Sequence, residues 1–275
     1  MSKPPLSVCM VSGAEARRIG RALASVAPWV SEIVVVLNAD VTDGTDKIVA
    51  AHGGKVFREP WRGFIAQKDS VTAKCSQPWV LNLDADEEVS PALRDESLRM
   101  LNGPVPRCAA YEFPHCTRYC GRWIRHGDWY PDRVRRLWRR DQARWAGEEP
   151  HAQLAVSGPV GRLQSDLWHY SFQSIEHHVS KVVPYQREAA RRRLATGRPG
   201  RVIELVLRHG WRFLRGYLLR RGFLDGWQGY YIARLNAFAT LPVTRCSWRL
   251  APRRQTGDRN RCSRHPANRR HEARG

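Results

Sequence analysis

Short apolar runs alternate with longer amphipathic segments through residues 6–90 of the chain. The runs predict four strands, at Leu6–Val11, Ile33–Leu37, Lys55–Phe57 and Trp79–Leu83. The segments between them predict three helices, at roughly Arg17–Ala27, Asp43–His52 and Phe64–Lys74. Thr42 or Asp43 is placed to cap the second helix. Strands separated by helices require crossover connections, so the pattern predicts an α/β fold with a parallel sheet, which binds ligands beyond the carboxyl ends of its strands.

The pattern changes after residue 101, where aromatic residues and arginine become frequent. Residues 102–170 favour short strands, loops and one helix, and residues 172–195 favour a helix. Residues 201–240 predict two basic, aromatic-rich amphipathic segments with a break around Gly222–Gly229. We therefore expect a catalytic domain at 1–170 with halves 1–101 and 102–170, a helical extension at 171–248, and a disordered arginine-rich tail at 249–275.

Positive charge is concentrated in the second half of the chain. The 275 residues include 46 Lys and Arg against 26 Asp and Glu, a formal net charge of +20. Residues 1–101 hold 12 basic and 13 acidic side chains, so the excess lies beyond them. Charge alone raises a nucleic-acid-binding protein as a rival class. No zinc finger, basic zipper or RNA-binding signature supports it, and we expect no nucleic acid partner.

Two carboxylates, Asp84 and Asp86, follow the fourth predicted strand. Side chains two positions apart at a strand end point to the same side. Two such oxygen donors suit Mg²⁺ or Mn²⁺ bridged to a substrate diphosphate, and the alternative is an acidic turn that caps the next helix. The chain has neither a G-x-G-x-x-G fingerprint nor a Walker sequence, so nucleotide binding would depend on these carboxylates.

Several motifs together resemble family 2 glycosyltransferases, and the resemblance covers residues 6–248. They are Glu15 with Arg17-Arg18-Ile19, the segments 42–45 (TDGT) and 63–68 (GFIAQK), and the segment 79–90 (WVLNLDADEEVS). The later segments 121–132 (GRWIRHGDWYPD) and 169–171 (HYS) look like the branch that adds a β-1,4-linked glucose to the lipopolysaccharide core.

This resemblance implies a GT-A fold, a nucleotide-sugar donor such as UDP-glucose, a divalent metal (Mg²⁺ or Mn²⁺) and inversion at the anomeric carbon. By position, nucleotide binding is implied for Ser12, Glu15, Asn38, Lys68, Asp69 and Asp84, and metal binding for Asp84 and Asp86. The chain has Ala14, Asn38 and Asp69 where the family usually has Asn, Asp and Asn. A glycosyltransferase-like scaffold with impaired catalysis is therefore a second alternative.

Inversion requires a general base that takes the proton of the acceptor hydroxyl. The segment 145–151 (WAGEEPH) resembles the place where the family carries an acidic pair. We favour Glu149, because Pro150 restricts the backbone that follows it, and Glu148 is the alternative carboxylate. His151 is a third candidate, since histidine exchanges protons near neutral pH, and a loop of solvated acids is the non-catalytic interpretation.

The expected acceptor is a lipopolysaccharide core or another lipid-linked glycan. Aromatic faces stack on sugars and arginine binds phosphate or carboxylate, which makes acceptor-binding candidates of Arg125, His126, Trp129, Tyr130 and Arg133. Packing of the aromatic residues in a core is the alternative for this cluster.

A membrane location follows from the same resemblance and from the C-terminal sequence. The aromatic and basic residues of 208–221 favour the inner face of the bacterial cytoplasmic membrane, and helices packed on the catalytic domain with their arginines facing water are the alternative. We expect a cytoplasmic, membrane-peripheral chain, because no secretion signal or apolar run long enough to span a bilayer occurs.

Overall fold

The first four predicted strands are present and pair side by side at one end of a continuous sheet, and the predicted helices connect them. The computed structural model describes residues 3–104, 107–149, 151–181 and 202–239. Strands β1 to β4 cover Leu6–Ser12, Glu32–Asn38, Lys55–Glu59 and Trp79–Asn82, and the helices between them are α1 (Ile19–Val26), α2 (Thr45–Ala51) and α3 (Phe64–Ala73). The cap residue of α2 is Gly44 and neither Thr42 nor Asp43, although Asp43 accepts the Thr45 N–H at 3.0 Å from just outside the helix.

The second side of the sheet contains both strand directions. Its elements are β5 (Glu87–Val89), α4 (Pro91–Asn102), β6 (Ala110–Tyr119), β7 (Arg122–Trp123), β8 (Asp132–Arg139), β11 (Val160–Arg162) and β12 (Leu167–Phe172). The strand order is β3-β2-β1-β4-β8-β6-β12-β5, and β8 runs antiparallel to both β4 and β6. Strands β9 (Ala143–Glu148) and β10 (His151–Val156) pair separately. The described part of residues 103–170 contains these strands and two 3₁₀ turns, so the helix expected there is wrong.

Strand β1 shows how the sheet builds a core on both faces. Leu6, Val8 and Met10 are fully buried on the face covered by α1. Cys9 lies on the other face with Val71 of α3. Because neighbouring side chains of a strand alternate in direction, an uninterrupted apolar run is needed when both faces are covered, and β1 provides one.

The C-terminal region is helical and packs on the end of β6. Helix α5 spans 175–181, so the start predicted at 172 is wrong: Phe172 is the last residue of β12 and a bend at 173–174 follows it. Residues 182–195 of the predicted helix lie outside the described residues. Helix α6 (Val202–Leu214) continues into a π-helical turn at Arg215–Leu219, and α7 (Gly226–Phe238) follows a 3₁₀ turn at Gly222–Asp225. The break predicted around Gly222–Gly229 therefore begins earlier, after the π-helical turn, and ends at Gly226, where α7 starts. The tail at 249–275 lies outside the described residues.

The predicted fold class, an α/β GT-A fold with a helical C-terminal extension, is confirmed. The sheet places the carboxyl ends of the parallel strands β1, β2 and β4 side by side. Side chains that follow these three strands therefore meet at one edge of the sheet.

Candidate active site

A cavity of about 860 Å³ opens at the carboxyl ends of β1, β2 and β4, and we refer to it as the central cavity. Six residues assigned to the donor or the metal from sequence line it, namely Ser12, Glu15, Asn38, Lys68, Asp84 and Asp86. The carbonyl oxygen of the Asn38 side chain is buried and has no hydrogen-bond partner in the described part of the protein. An unsatisfied polar atom at this position is available to a ligand in the cavity.

Asp84 lies between two cations. Its Oδ2 accepts a hydrogen bond from Nη2 of Arg136 at 2.7 Å, and its Oδ1 lies 3.5 Å from Nζ of Lys68. Asn82 joins the cluster, because its side-chain oxygen accepts hydrogen bonds from Lys68 at 3.0 Å and from Arg136. Burial by itself would raise the pKa of Asp84, but Arg136 and Lys68 hold that pKa well below its usual range. Asp84 is therefore ionised and already paired with protein cations.

Glu87 fixes the backbone of the loop that carries the two aspartates. Its side chain is 1% exposed, and Oε2 accepts the Asp84 N–H at 2.8 Å. Oε1 lies 3.2 Å from Nη2 of Arg136 and 2.9 Å from Nε2 of His115. Burial raises the pKa of Glu87, whereas Arg136 and His115 lower it further than burial raises it. The capping role suggested as an alternative for this acidic turn belongs to Ser90, whose Oγ accepts the Leu93 N–H at the start of α4.

Asp86 differs from Asp84 because an imidazole faces it. Its Oδ2 lies 3.5 Å from Nε2 of His169 on β12 and 3.7 Å from Nη1 of Arg18. Burial raises the pKa of Asp86, but the interaction with His169 and the charge of Arg18 leave that pKa below its ordinary value. The His169 ring stacks on His115 with centroids 4.4 Å apart, which fixes its orientation.

A carboxylate and an imidazole form a donor pair that divalent metals accept, so Asp86 and His169 fit a metal site. Asp84 fits it less well, because both of its oxygens face protein cations. Among the residues that the structure describes, no three His, Cys, Asp or Glu side chains are grouped to hold a metal ion. The remaining ligands would have to come from a substrate diphosphate and from water.

Sequence reasoning assigned no role to Arg136 or His169, although both line the central cavity. Arg136 shares a face of β8 with the fully buried Trp138, and a charge on an inward face must be paired. The alternation of Arg136 with Trp138 in the sequence could therefore have indicated a paired, inward-facing arginine. For His169 the signal was its place in the segment 169–171, which carried the family resemblance without pointing to the aspartates.

The remaining nucleotide-binding candidate, Asp69, is placed away from the central cavity. It is exposed, and its Oδ1 accepts the Trp145 N–H at 3.0 Å, which ties α3 to β9. The structure does not bring Asp69 to the nucleotide-binding residues, because Lys68 faces the cavity and the next side chain of the helix points elsewhere.

The three candidates for the general base lie at the β9–β10 pair. Glu149 accepts the Ile65 N–H at 2.8 Å through Oε1, at the first turn of α3. A Cβ on Gly63 would lie 2.8 Å from this oxygen, so the glycine makes room for the carboxylate. Glu148 is exposed at the end of β9, and the side chain of His151 lies outside the described residues. The described side chains that line the central cavity include neither Glu148 nor Glu149.

The five predicted acceptor-binding residues are not brought to the central cavity. The backbone N–H groups of Arg125 and His126 donate to Asp225 Oδ2 at 3.1 and 2.8 Å. Tyr130 donates to Asp166 at 2.9 Å, and Arg125 forms an ion pair with the same carboxylate at 2.9 Å. These contacts join the segment between β7 and β8 to Asp166, just before β12, and to the turn that precedes α7.

The other two members of the cluster also have internal partners. The Trp129 ring stacks on Phe172 with centroids 5.3 Å apart, and Arg133 donates to the Leu163 carbonyl at 3.1 Å. Aromatic and basic side chains serve both in a packed interface and in a sugar-binding surface, so acceptor binding by the cluster stays a prediction.

Comparisons with known proteins match the chain to one family model and to several relatives. The sequence model of glycosyl transferase family 2 matches residues 7–161. An uncharacterized glycosyltransferase, RP128 of Rickettsia prowazekii, is 30% identical over 250 residues, which span 85% of this chain and 83% of the relative. The lipopolysaccharide core biosynthesis glycosyltransferase LpsC of Rhizobium meliloti is 28% identical over 256 residues, which span 86% of this chain and 91% of the relative.

Two solved structures are similar at lower identity. S. aureus TarS in complex with UDP-GlcNAc is 13% identical with a TM-score of 0.46 and coverage of 63% of this chain and 60% of TarS. Glucosyl-3-phosphoglycerate synthase from Mycobacterium tuberculosis, in complex with Mn²⁺, UDP and phosphoglyceric acid, is 19% identical with a TM-score of 0.33 and coverage of 42% and 44%. The family match extends over more than half of the chain, and the chain therefore belongs to glycosyl transferase family 2.

Proposed function

We propose that the protein is an inverting, metal-dependent glycosyltransferase that moves a sugar from a nucleotide-sugar, UDP-glucose, to a lipopolysaccharide-core or other lipid-linked glycan. The observation that carries the proposal is the pair Asp84 and Asp86 in one cavity at the carboxyl ends of three parallel strands. The family supports sugar transfer, and the similarity to LpsC supports a lipopolysaccharide-core acceptor.

The donor nucleotide would occupy the part of the cavity formed by β1 and β2. Asn38 offers both donors and an acceptor to a base edge, and its oxygen is unsatisfied in the described structure. Ser12 and Glu15 lie beside it. Asp84, held in its ionised form by Arg136, would accept hydrogen bonds from the ribose.

A divalent cation would be held by Asp86 and His169. When bound, such a cation neutralises negative charge on the departing nucleoside diphosphate. Lys68 and Arg136 add positive charge at the same end of the cavity. The protein therefore supplies a cationic environment for the diphosphate from its own side chains as well.

Glu149 is the proposed general base, with Glu148 and His151 as alternatives. Its oxygen reaches the start of α3, next to Phe64, which lines the central cavity. In Glu149→Gln, an oxygen that can accept the Ile65 N–H is retained while the proton-accepting carboxylate is lost. We expect donor binding to be unchanged and turnover to fall by about 10²-fold or more. Normal turnover in this variant, together with a loss in Glu148→Gln, would move the role to Glu148.

The C-terminal helices support peripheral association with an anionic membrane. Leu207, Trp211, Leu214 and Leu218 are 65%, 55%, 41% and 49% exposed, and their spacing places them along one side of α6 and its continuation. Arginine side chains lie between them. No helix in the described ranges is long and apolar enough to cross a bilayer. An exposed apolar stripe with flanking arginines is typical of a helix that lies in a membrane interface.

A panel of nucleotide sugars tests the donor. We expect UDP-glucose with Mn²⁺ to raise the unfolding temperature of the whole chain and to be turned over with a lipopolysaccharide-core acceptor. Binding without turnover on any acceptor of the panel would favour the impaired scaffold. Stabilisation by nucleic acid, and by no nucleotide sugar, would contradict the proposal.

A further inference from the structure

A second, smaller cavity borders the central cavity on the far side of the loop that carries Asp86. We call it the arginine pocket, because it is lined by Arg17, Arg18, Arg21 and Arg118, with Tyr170 beside them. It has a volume of about 340 Å³ and shares Ala85 and Asp86 with the central cavity. This volume lies at the small end of the range of small-molecule sites, about 300–1,000 Å³.

The pocket is built around a fixed aromatic ring. The Tyr170 hydroxyl donates to Glu88 at 2.6 Å, which holds the ring in place. The guanidinium carbon of Arg21 lies 3.9 Å from the ring centroid, and that of Arg118 lies 5.8 Å from it. The Nε of Arg118 also donates to the Gly121 carbonyl at 3.3 Å. Contact with an aromatic ring does not use the remaining guanidinium N–H groups, which stay available for another partner.

The positive charge of the pocket is incompletely paired. Arg18 forms ion pairs with Glu15 at 2.6 Å and with the lining carboxylate of Asp86 at 3.7 Å. In the part of the chain that the structure describes, Arg17, Arg21 and Arg118 form no ion pair with a carboxylate. The lining acid Glu87 contacts Arg136 and His115 instead. The pocket therefore has an excess of positive charge and several free N–H donors.

We propose that the arginine pocket binds an oxyanion, a phosphate or a carboxylate, that belongs to the acceptor glycan. The proposal rests on the proposed function, in which the attacking hydroxyl reaches the donor sugar near Asp86. The pocket adjoins Asp86 but shares none of the residues Ser12, Asn38 or Lys68. Paired arginine forks match the geometry of an oxyanion. The inference restricts the acceptor to acidic or phosphorylated glycans.

The test uses whole-chain protein saturated with UDP and Mn²⁺, so that the central cavity is filled. Calorimetric titrations with inorganic phosphate, glucose 6-phosphate and glucuronate distinguish a free ion, a sugar-borne phosphate and a sugar carboxylate. The double variant Arg21→Gln/Arg118→Gln is compared with Arg144→Gln, an exposed arginine of β9 outside both cavities. Arg21 and Arg118 are themselves exposed, so we expect the double variant to fold normally.

We expect a sugar-borne anion to bind more tightly than inorganic phosphate, and the double variant to lose at least about tenfold of that affinity. The affinity for UDP should be unchanged in both variants. Equal binding of the sugar-borne anions by the double variant and the wild type would overturn the inference and leave the proposed function intact. Competition of these anions with UDP would also overturn it, because the pocket would then belong to the donor site. Failure of the wild type to bind UDP would instead contradict the proposed function.

Discussion

Replacement of Arg136 by Met removes the cation shared by Glu87, which is 1% exposed, and Asp84, which is 35% exposed. Arg136 lies 2.7 Å from Asp84 and 3.2 Å from Glu87, and its side chain is only 15% exposed. Breaking a buried ion pair from one side destabilises a protein by about 3–5 kcal/mol. Asp84 is partly exposed, and Lys68 and His115 remain near the two acids, so we expect the lower end, about 3 kcal/mol. For a chain of this size that corresponds to a decrease of roughly 6–12 °C in Tm.

The pH dependence identifies the cause of this loss. In the wild type Arg136 lowers the pKa of Asp84 below 3.8, so this pairing stabilises the fold above that pH and is lost as the pH falls. In Arg136→Met, Asp84 and Glu87 destabilise the folded state only while they are ionised, because protonation removes the unpaired negative charge. The difference in unfolding free energy should therefore be largest at neutral pH and should narrow as the pH falls below about 4.

Urea denaturation of the wild type, Arg136→Met, Asp84→Asn and the double variant measures both effects. The double variant should lose less than the sum of the two single losses, by at least about 1 kcal/mol. Additive losses, or a loss of equal size at neutral and acidic pH, would refute the reasoning. Arg144→Met replaces an exposed arginine and should stay within about 0.5 kcal/mol of the wild type.

Three further changes test other parts of the structure. Burial raises the pKa of Glu32, but its hydrogen bonds lower that pKa from 4.5 to about 2. Glu32→Gln should therefore lower the unfolding free energy by about 2–3 kcal/mol in urea denaturation at neutral pH. This loss should shrink as the pH falls below 4.5. A Cβ on Gly229 would lie 1.9 Å from the Gly222 carbonyl oxygen. Gly229→Ala should therefore lower Tm and expose α7 to hydrogen exchange. Gly210→Ala is the control and should do neither, because the space around its Cβ is open. Trp211→Ser should reduce sedimentation with vesicles that contain phosphatidylglycerol while leaving UDP binding unchanged, and equal sedimentation would argue against the membrane-facing helix.

The periodicity of the sequence was sufficient for the parallel half of the fold and for the place of the central cavity. The run that ends at Asn82 locates Asp84 and Asp86 at a strand end, since strand polarity and side-chain alternation are local properties. The partners of these aspartates are not local. Arg136 and His169 reach them only because β8 runs antiparallel beside β4 and β12 pairs with β5.

Composition alone does not decide the role of a segment whose residue types are typical of two kinds of surface. Arginine, histidine and tryptophan at 125–129 are equally typical of a sugar-binding surface and of a packed interface. The contacts of this segment depend on acid–base pairs whose members lie far apart in the sequence. Asp225 receives the N–H groups of Arg125 and His126, and Asp128 forms an ion pair with Arg215 at 2.8 Å. Pairing across about a hundred residues is set by tertiary structure, which a local pattern does not encode.

The central claim is that Asp86 and a divalent cation together hold the diphosphate of the donor. Calorimetric titration of UDP in the presence and absence of Mn²⁺, for the wild type, Asp86→Asn and Asp69→Asn, measures it directly. Asp69 is the matched control, because it is an exposed aspartate outside the central cavity and Asn can still accept the Trp145 N–H. The account predicts Mn²⁺-dependent UDP binding by the wild type and by Asp69→Asn, and a loss of at least about tenfold in Asp86→Asn. Binding of UDP with equal affinity by Asp86→Asn and the wild type, or without any effect of Mn²⁺, would contradict it.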